Sequence, residues 1–132
     1  MLLAALSPQQ LRDVLAQPSR SGITPRWQPD ADELESVLRE VRARGWAVAD
    51  EELAGGIRSV AVPVRDGHGQ VIAAMNVTVN AAETTLETLI EKHLPRLLQA
   101  ASAISADWAA WQSLPVTTAG GPSTDQGLPG PE

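Results

Sequence analysis

Two β-rich runs, Ile57–Val64 and Val71–Val79, constrain this chain more than any other feature. The segment between them, Arg65-Asp66-Gly67-His68-Gly69-Gln70, carries the Asp-Gly signal of a hairpin, so the runs are expected to pair antiparallel. Side chains alternate across a strand. Val60, Val62 and Val64 therefore share one face, as do Val71, Ala73, Met75, Val77 and Val79. The opposite face takes Ile57, Ser59, Ala61 and Pro63 from the first run and Ile72, Ala74, Asn76 and Thr78 from the second. One face is bulky and dry, the other small and partly polar.

A dry sheet face needs a cover, and the stretch after Thr84-Thr85 supplies one. Either threonine can cap a helix there, with Glu87 three residues after Thr84, and Leu86, Leu89, Ile90, Leu94, Leu97, Leu98, Ala101, Ile104 and Trp108 follow at helical spacing. Pro95 falls inside that stripe and removes a backbone donor, which predicts a kink or two abutting helices. Upstream, Ser7-Pro8-Gln9-Gln10 opens a helix over about 8–17. Asp30 to Glu33 opens a second over 31–44, whose stripe is Leu34, Val37, Leu38 and Val41 and whose stop is Gly45. Trp46-Ala47-Val48 reads as a short strand, and Asp50 to Gly56 as an acidic, glycine-rich loop. The expected class is α+β, an antiparallel sheet with helices packed on one face and a long C-terminal helix. Residues 1–113 form the expected domain. Residues 114–132, rich in Gly, Pro, Ser and Thr, have little to bury and are expected to be disordered.

The 132 residues allow one domain of ordinary size. Net charge is −6 and Lys92 is the single lysine, so no basic stripe is available to neutralise phosphates, and direct nucleic-acid contact by this chain is not expected. With no cysteine, disulfides, thiolate metal sites and a cysteine nucleophile are all excluded. No stretch has the length of a membrane span, and Met1 to Leu6 lacks the flank and length of a signal peptide, which together give a cytoplasmic expectation.

The small polar face suits the floor of a ligand pocket, because small side chains leave volume while hydroxyl and amide groups offer fixed hydrogen bonds. It equally suits a solvent-facing side of a two-layer domain, where such residues need no purpose. Other chemistry-bearing residues point less far. Asp50, Glu51 and Glu52 are adjacent in a loop without a neighbouring histidine and are expected to bond loop backbone and face water rather than to hold a metal. His68 is read as a solvated turn residue, and His93 as a helix-flank residue. Arg58 is placed to anchor the acidic loop. Ser59 has no base at motif spacing, and its context is a strand rather than a nucleophile elbow. Trp108 and Trp111 are read as packing or subunit contacts.

The run from Gly45-Trp46-Ala47-Val48 through Asp50-Glu51-Glu52, Gly56-Ile57-Arg58-Ser59 and Val64-Arg65-Asp66, followed by Gly69 to Thr78 with its Ala73-Ala74-Met75-Asn76-Val77, resembles the effector-binding domain of IclR-type transcriptional regulators. The likeness extends from Leu2 to about Ser105 and is greatest to the branch that senses aromatic acids of the protocatechuate and 4-hydroxybenzoate routes. It implies a GAF-like fold, incomplete here, in a regulator whose DNA-binding winged helix-turn-helix lies outside this chain. It also implies that Ile57, Ser59, Asn76 and Thr78 line an effector pocket, with Ala49 and Ala74 beside them. Ala49 stands where several members carry an acid that contacts the ligand. That exchange removes a partner for a small keto acid and opens space for a flat aromatic one.

The resulting expectation is a non-enzymatic sensor that binds a small organic acid, uses neither metal nor cofactor, touches no membrane and forms homo-oligomers. The competing reading is an oligomerisation module or non-functional remnant that binds no effector. A small hydrolase using Ser59 is a third.

Overall fold

The computed structural model describes residues 1–115. A 3-10 turn at Leu2–Ala5 leads into α1 (Pro8–Leu15) and α2 (Ala31–Arg44). Three antiparallel strands follow in the order β1 (Ala47–Asp50), β2 (Ile57–Arg65) and β3 (Val71–Asn80). A short helix α3 (Leu86–Thr88), a π-turn at Leu89–His93 and the long α4 (Leu94–Gln112) complete the described chain. The expected class holds: α4 packs along β2 and β3. The expected tail falls largely on 116–132, outside the described residues.

The helix starts follow from their caps. Ser7 and Asp30 each form a full capping box, with Gln10 and Glu33 reaching back to the cap backbone. Gly45 ends α2 in the left-handed conformation, at φ 82°. Helix α1 stops two residues short of the expected end, at Leu15. At the other end Thr85, rather than Thr84, caps α3, its hydroxyl accepting from Thr88 N–H at 3.1 Å.

The helical run continues without interruption from Leu86 to Gln112, with Pro95 in the first turn after a π-turn. The turn before it widens, and Leu94 N–H donates to Leu89 C=O in the i to i−5 pattern. A π-turn adds one residue to the helical count and brings Leu89 and Leu94 onto one buried face, which runs on through Leu97 and Ala101 and continues with half-buried Ser105 and Ala109. The expected stripe holds at Leu94, Leu97 and Ala101 but not throughout. Leu98, Ile104 and Trp108 are 42%, 44% and 42% exposed.

Val60, Val62, Val64, Leu89, Leu94, Leu97 and Ala101 form the core between sheet and α4, with Trp46, Met75, Val77 and Val79 packed around them. A second cluster joins Ala4, Leu11, Leu38 and Val41 and touches the sheet through Ala47. Pro63 is tolerated in the central strand because β1 ends at Ala47 opposite Ala61, so β2 has no partner on that side at Pro63. Between Val64 and Arg65 the register slips: Val64 faces Ala73, but Arg65 faces Val71. This bulge turns Val71 away from the face of Ala73, where strict alternation places it, and towards a crevice beside Ala4 and Val41. The hairpin closes on Asp66, whose carboxylate accepts from His68 N–H and Gln70 N–H, both at 2.9 Å. Its left-handed residue is Gly69, at φ 79°.

Candidate functional site

The register settles which side chains share the small face. Ala49 pairs with Ser59, and Ser59 in turn with Thr78, while Ala61 pairs with Ala47 and Asn76, and Pro63 with Ala74. Directly paired residues project to the same side. Ser59, Asn76 and Thr78 therefore lie together, opposite the face covered by α4.

This face floors a cavity of about 560 Å³. Ala49, Ser59, Ala61, Ala74 and Asn76 supply the floor, and Leu34, Val37, Leu38 and Val41 of α2 form the facing wall, with Leu2 and Leu3 at one side and Trp27 and Glu52 at another. Of the expected site residues, Ala49, Ser59, Ala74 and Asn76 are in the lining. Ile57 and Thr78 share the face but stand outside it; Thr78 reaches the site only through Asn76, whose amide donates to Thr78 Oγ1 at 3.0 Å.

The α2 wall was not anticipated from sequence, although a signal for it existed. Its stripe of Leu34, Val37, Leu38 and Val41 must face something apolar, and with the valine face of the sheet taken by α4 only the small face remained.

The acidic loop divides its carboxylates among different tasks. Asp50, at the end of β1, binds Arg58 Nε, and Arg58 also donates to Thr84 C=O at 2.8 Å. The expected role of Arg58 as loop anchor is what the geometry gives, extended to the start of the last helical segment. Glu51 sits at φ 57°, a conformation unfavourable for a side-chain-bearing residue. It is held there by its own N–H to Ile57 C=O at 2.9 Å and by Gly56 N–H to its Oε1 at 2.7 Å.

Glu52 departs from the expectation that all three acids face water: it is half-buried on the cavity wall. Its carboxyl is raised above the ordinary glutamate range, first by burial and second by the charge of Asp50. Trp27 N–H donates to Glu52 C=O at 2.9 Å, which pins the proline-rich connection to the loop and sets the indole at the cavity mouth.

Among the described residues no group of three His, Cys, Asp or Glu side chains could hold a metal ion, and no helix is long and apolar enough to cross a membrane. A three-stranded sheet, a long helix on one face and a cavity of ligand size on the other make an α+β arrangement with room for a small molecule.

Comparison with known proteins agrees: the family described as "Bacterial transcriptional regulator IclR C-terminal" matches residues 1–106, and the chain belongs to it. It is 41% identical over 100 residues to the Pca regulon regulatory protein of Pseudomonas putida, an overlap of 76% of this chain and 34% of that protein. The C-terminal domain of the E. coli regulator KdgR superposes with a TM-score of 0.69 at 30% identity, covering 82% of this chain and 65% of that one. The inducer-binding domain of PobR from Acinetobacter, solved as a double mutant with 3-hydroxybenzoic acid, superposes at 0.66 with 25% identity, covering 79% of this chain and 59% of that one. The chain thus spans about a third of the length of the Pca regulon relative. It is the effector-domain type of a transcriptional regulator, not an enzyme.

Proposed function

We propose that residues 1–113 are the ligand-sensing portion of a cytoplasmic IclR-family regulator and bind a small aromatic carboxylic acid in the cavity between α2 and the small face of the sheet. One observation carries this reading: Ala49, Ser59, Ala74 and Asn76, taken from three strands, meet on the floor of a single cavity of about 560 Å³. That volume falls within the range of about 300–1,000 Å³ typical of small-molecule sites. The alanines leave room for a flat ring, and Ser59 and Asn76 offer a hydroxyl and an amide to the acid's oxygens. The similarity to a Pca regulon regulator and to an inducer domain bound to 3-hydroxybenzoic acid supports an aromatic effector.

In a homo-oligomer of longer relatives, ligand binding biases subunit arrangement and thereby operator binding by attached winged helices. The competing reading, an association module that binds nothing, draws on the exposed Trp108 and Trp111, whose rings pack at a tilt of 41° with centroids 5.1 Å apart.

Titration of tryptophan fluorescence separates the two, because Trp27 lines the cavity while Trp108 and Trp111 do not. A saturable response to protocatechuate or 4-hydroxybenzoate, weaker for pyruvate and lost in Trp27→Phe, is expected. A folded sample that responds to none of them, by fluorescence or by calorimetry, leaves the association module.

A further inference from the structure

The cavity is electrostatically one-sided. Among its lining residues Glu52 has the only ionisable side chain. The neighbouring cations are already engaged, Arg26 with Glu51 at 3.6 Å and Arg58 with Asp50 and the Thr84 carbonyl. Helix α2 presents only Leu34, Val37, Leu38 and Val41, and the strands only neutral groups. A carboxylic acid that enters as its anion meets a carboxylate and no side-chain cation.

Resting on the reading that this cavity takes a carboxylic acid, we propose that the acid binds together with one proton held on Glu52, forming a carboxyl–carboxylate pair that shares a hydrogen. Two carboxylates brought together in one partly buried site repel each other, which favours a proton on one of them. The proton comes from solvent, an O–H bond on Glu52 is the only bond made, and the ligand stays an anion that accepts from it. Glu52 is prepared for this, since burial and Asp50 already favour its protonated form. Its protonated carboxyl then donates where an arginine would in a conventional acid site, and Ser59 and Asn76 remain free to bind the rest of the ligand.

Calorimetric titration of the whole chain with 4-hydroxybenzoate tests this, run between pH 5.5 and 8 in buffers of different ionisation enthalpy. The expected result is uptake approaching one proton near neutral pH and a Kd that rises up to about tenfold per pH unit on the alkaline side. The neutral 4-hydroxybenzamide should bind with a flat pH profile. Glu52→Gln should bind the acid with a flat profile too, and more tightly than the parent at pH 8. Acid binding without proton uptake in the parent overturns the proposal and leaves the acid-sensing function standing. A slope that persists in Glu52→Gln overturns it as well, because the proton then sits on another group. If neither acid nor amide binds to folded protein, the sensing function fails along with it.

Discussion

Ser105 Oγ accepts the backbone N–H of Arg65 at 2.9 Å and donates to the Ala101 carbonyl at 2.8 Å, so a serine on α4 fixes the helix to the hairpin. Two turns further on, Gln112 Oε1 accepts from Gly67 N–H at 2.9 Å. The hairpin is thus gripped by the small, polar edge of α4, while Ile104 and Trp108 point outwards.

A contrast of two variants checks this register. Ser105→Leu adds an apolar side chain but leaves Arg65 N–H without its partner and crowds the hairpin; it should cost about 1–3 kcal/mol in urea denaturation. Ile104→Gln removes an apolar side chain at an exposed position and should cost less than about 1 kcal/mol. The reverse order would restore the simple stripe through Ile104 and Trp108.

Arg58 is the second long-range tie, its side chain 16% exposed and spanning Asp50 and the Thr84 carbonyl. A lysine has one ammonium and cannot reproduce a fork across two partners. Arg58→Met should destabilise by about 1.5–3 kcal/mol, as expected for loss of hydrogen bonds from a charged donor, with Arg58→Lys in between. Asp50→Asn should cost less than about 1 kcal/mol, because that half of the pair is open to water. Chemical denaturation of the three variants gives the ranking.

What could be seen in the sequence was whatever local chemistry decides. Ser7, Asp30 and Gly45 mark their helix ends through side chains or φ angles within a few residues, and the alternation of β2 and β3 places Ser59 and Asn76 on one face before any tertiary contact is known. What was hidden depends on insertions and on distance. The π-turn before Pro95 inserts a residue between buried Leu89 and Leu94, and the bulge at Val64 and Arg65 turns Val71 over; neither leaves a mark in a periodic pattern. The cavity's far wall was hidden for another reason. Strand alternation says which residues share a face but not what lies above it, so Ile57 and Thr78 looked equivalent to Ser59 and Asn76. Only the placement of α2 separates them, and Glu52 joins the site because Glu51 reverses the chain at a positive φ.

That separation makes a prediction about ligand response. Ser59→Ala should weaken binding of an aromatic acid by about 2- to 10-fold, the loss of one hydrogen bond. Thr78→Ala, outside the lining, should change it by less than about 2-fold. Ala61→Leu should abolish the response while circular dichroism stays that of the parent, since the added carbons extend into the cavity rather than the valine core. Equal losses at Ser59 and Thr78 would move the binding floor towards the open edge of β3.

Glu52 also ties stability to pH, with a sign that can be worked out. Its folded-state carboxyl is raised above the unfolded value by burial and by Asp50, so between the unfolded and folded pKa values the native state holds more protons than the unfolded chain. Its contribution is therefore most favourable below the unfolded pKa and is lost as pH rises through the folded one. Glutamine cannot ionise and escapes that loss. Glu52→Gln should accordingly melt at a higher temperature than the parent at pH 7, with the gap narrowing towards pH 4, as followed by thermal unfolding without ligand. A gap that is constant with pH would mean that the glutamine acts through packing, and a gap of opposite sign would mean that the ionised carboxylate has a stabilising partner in the native state.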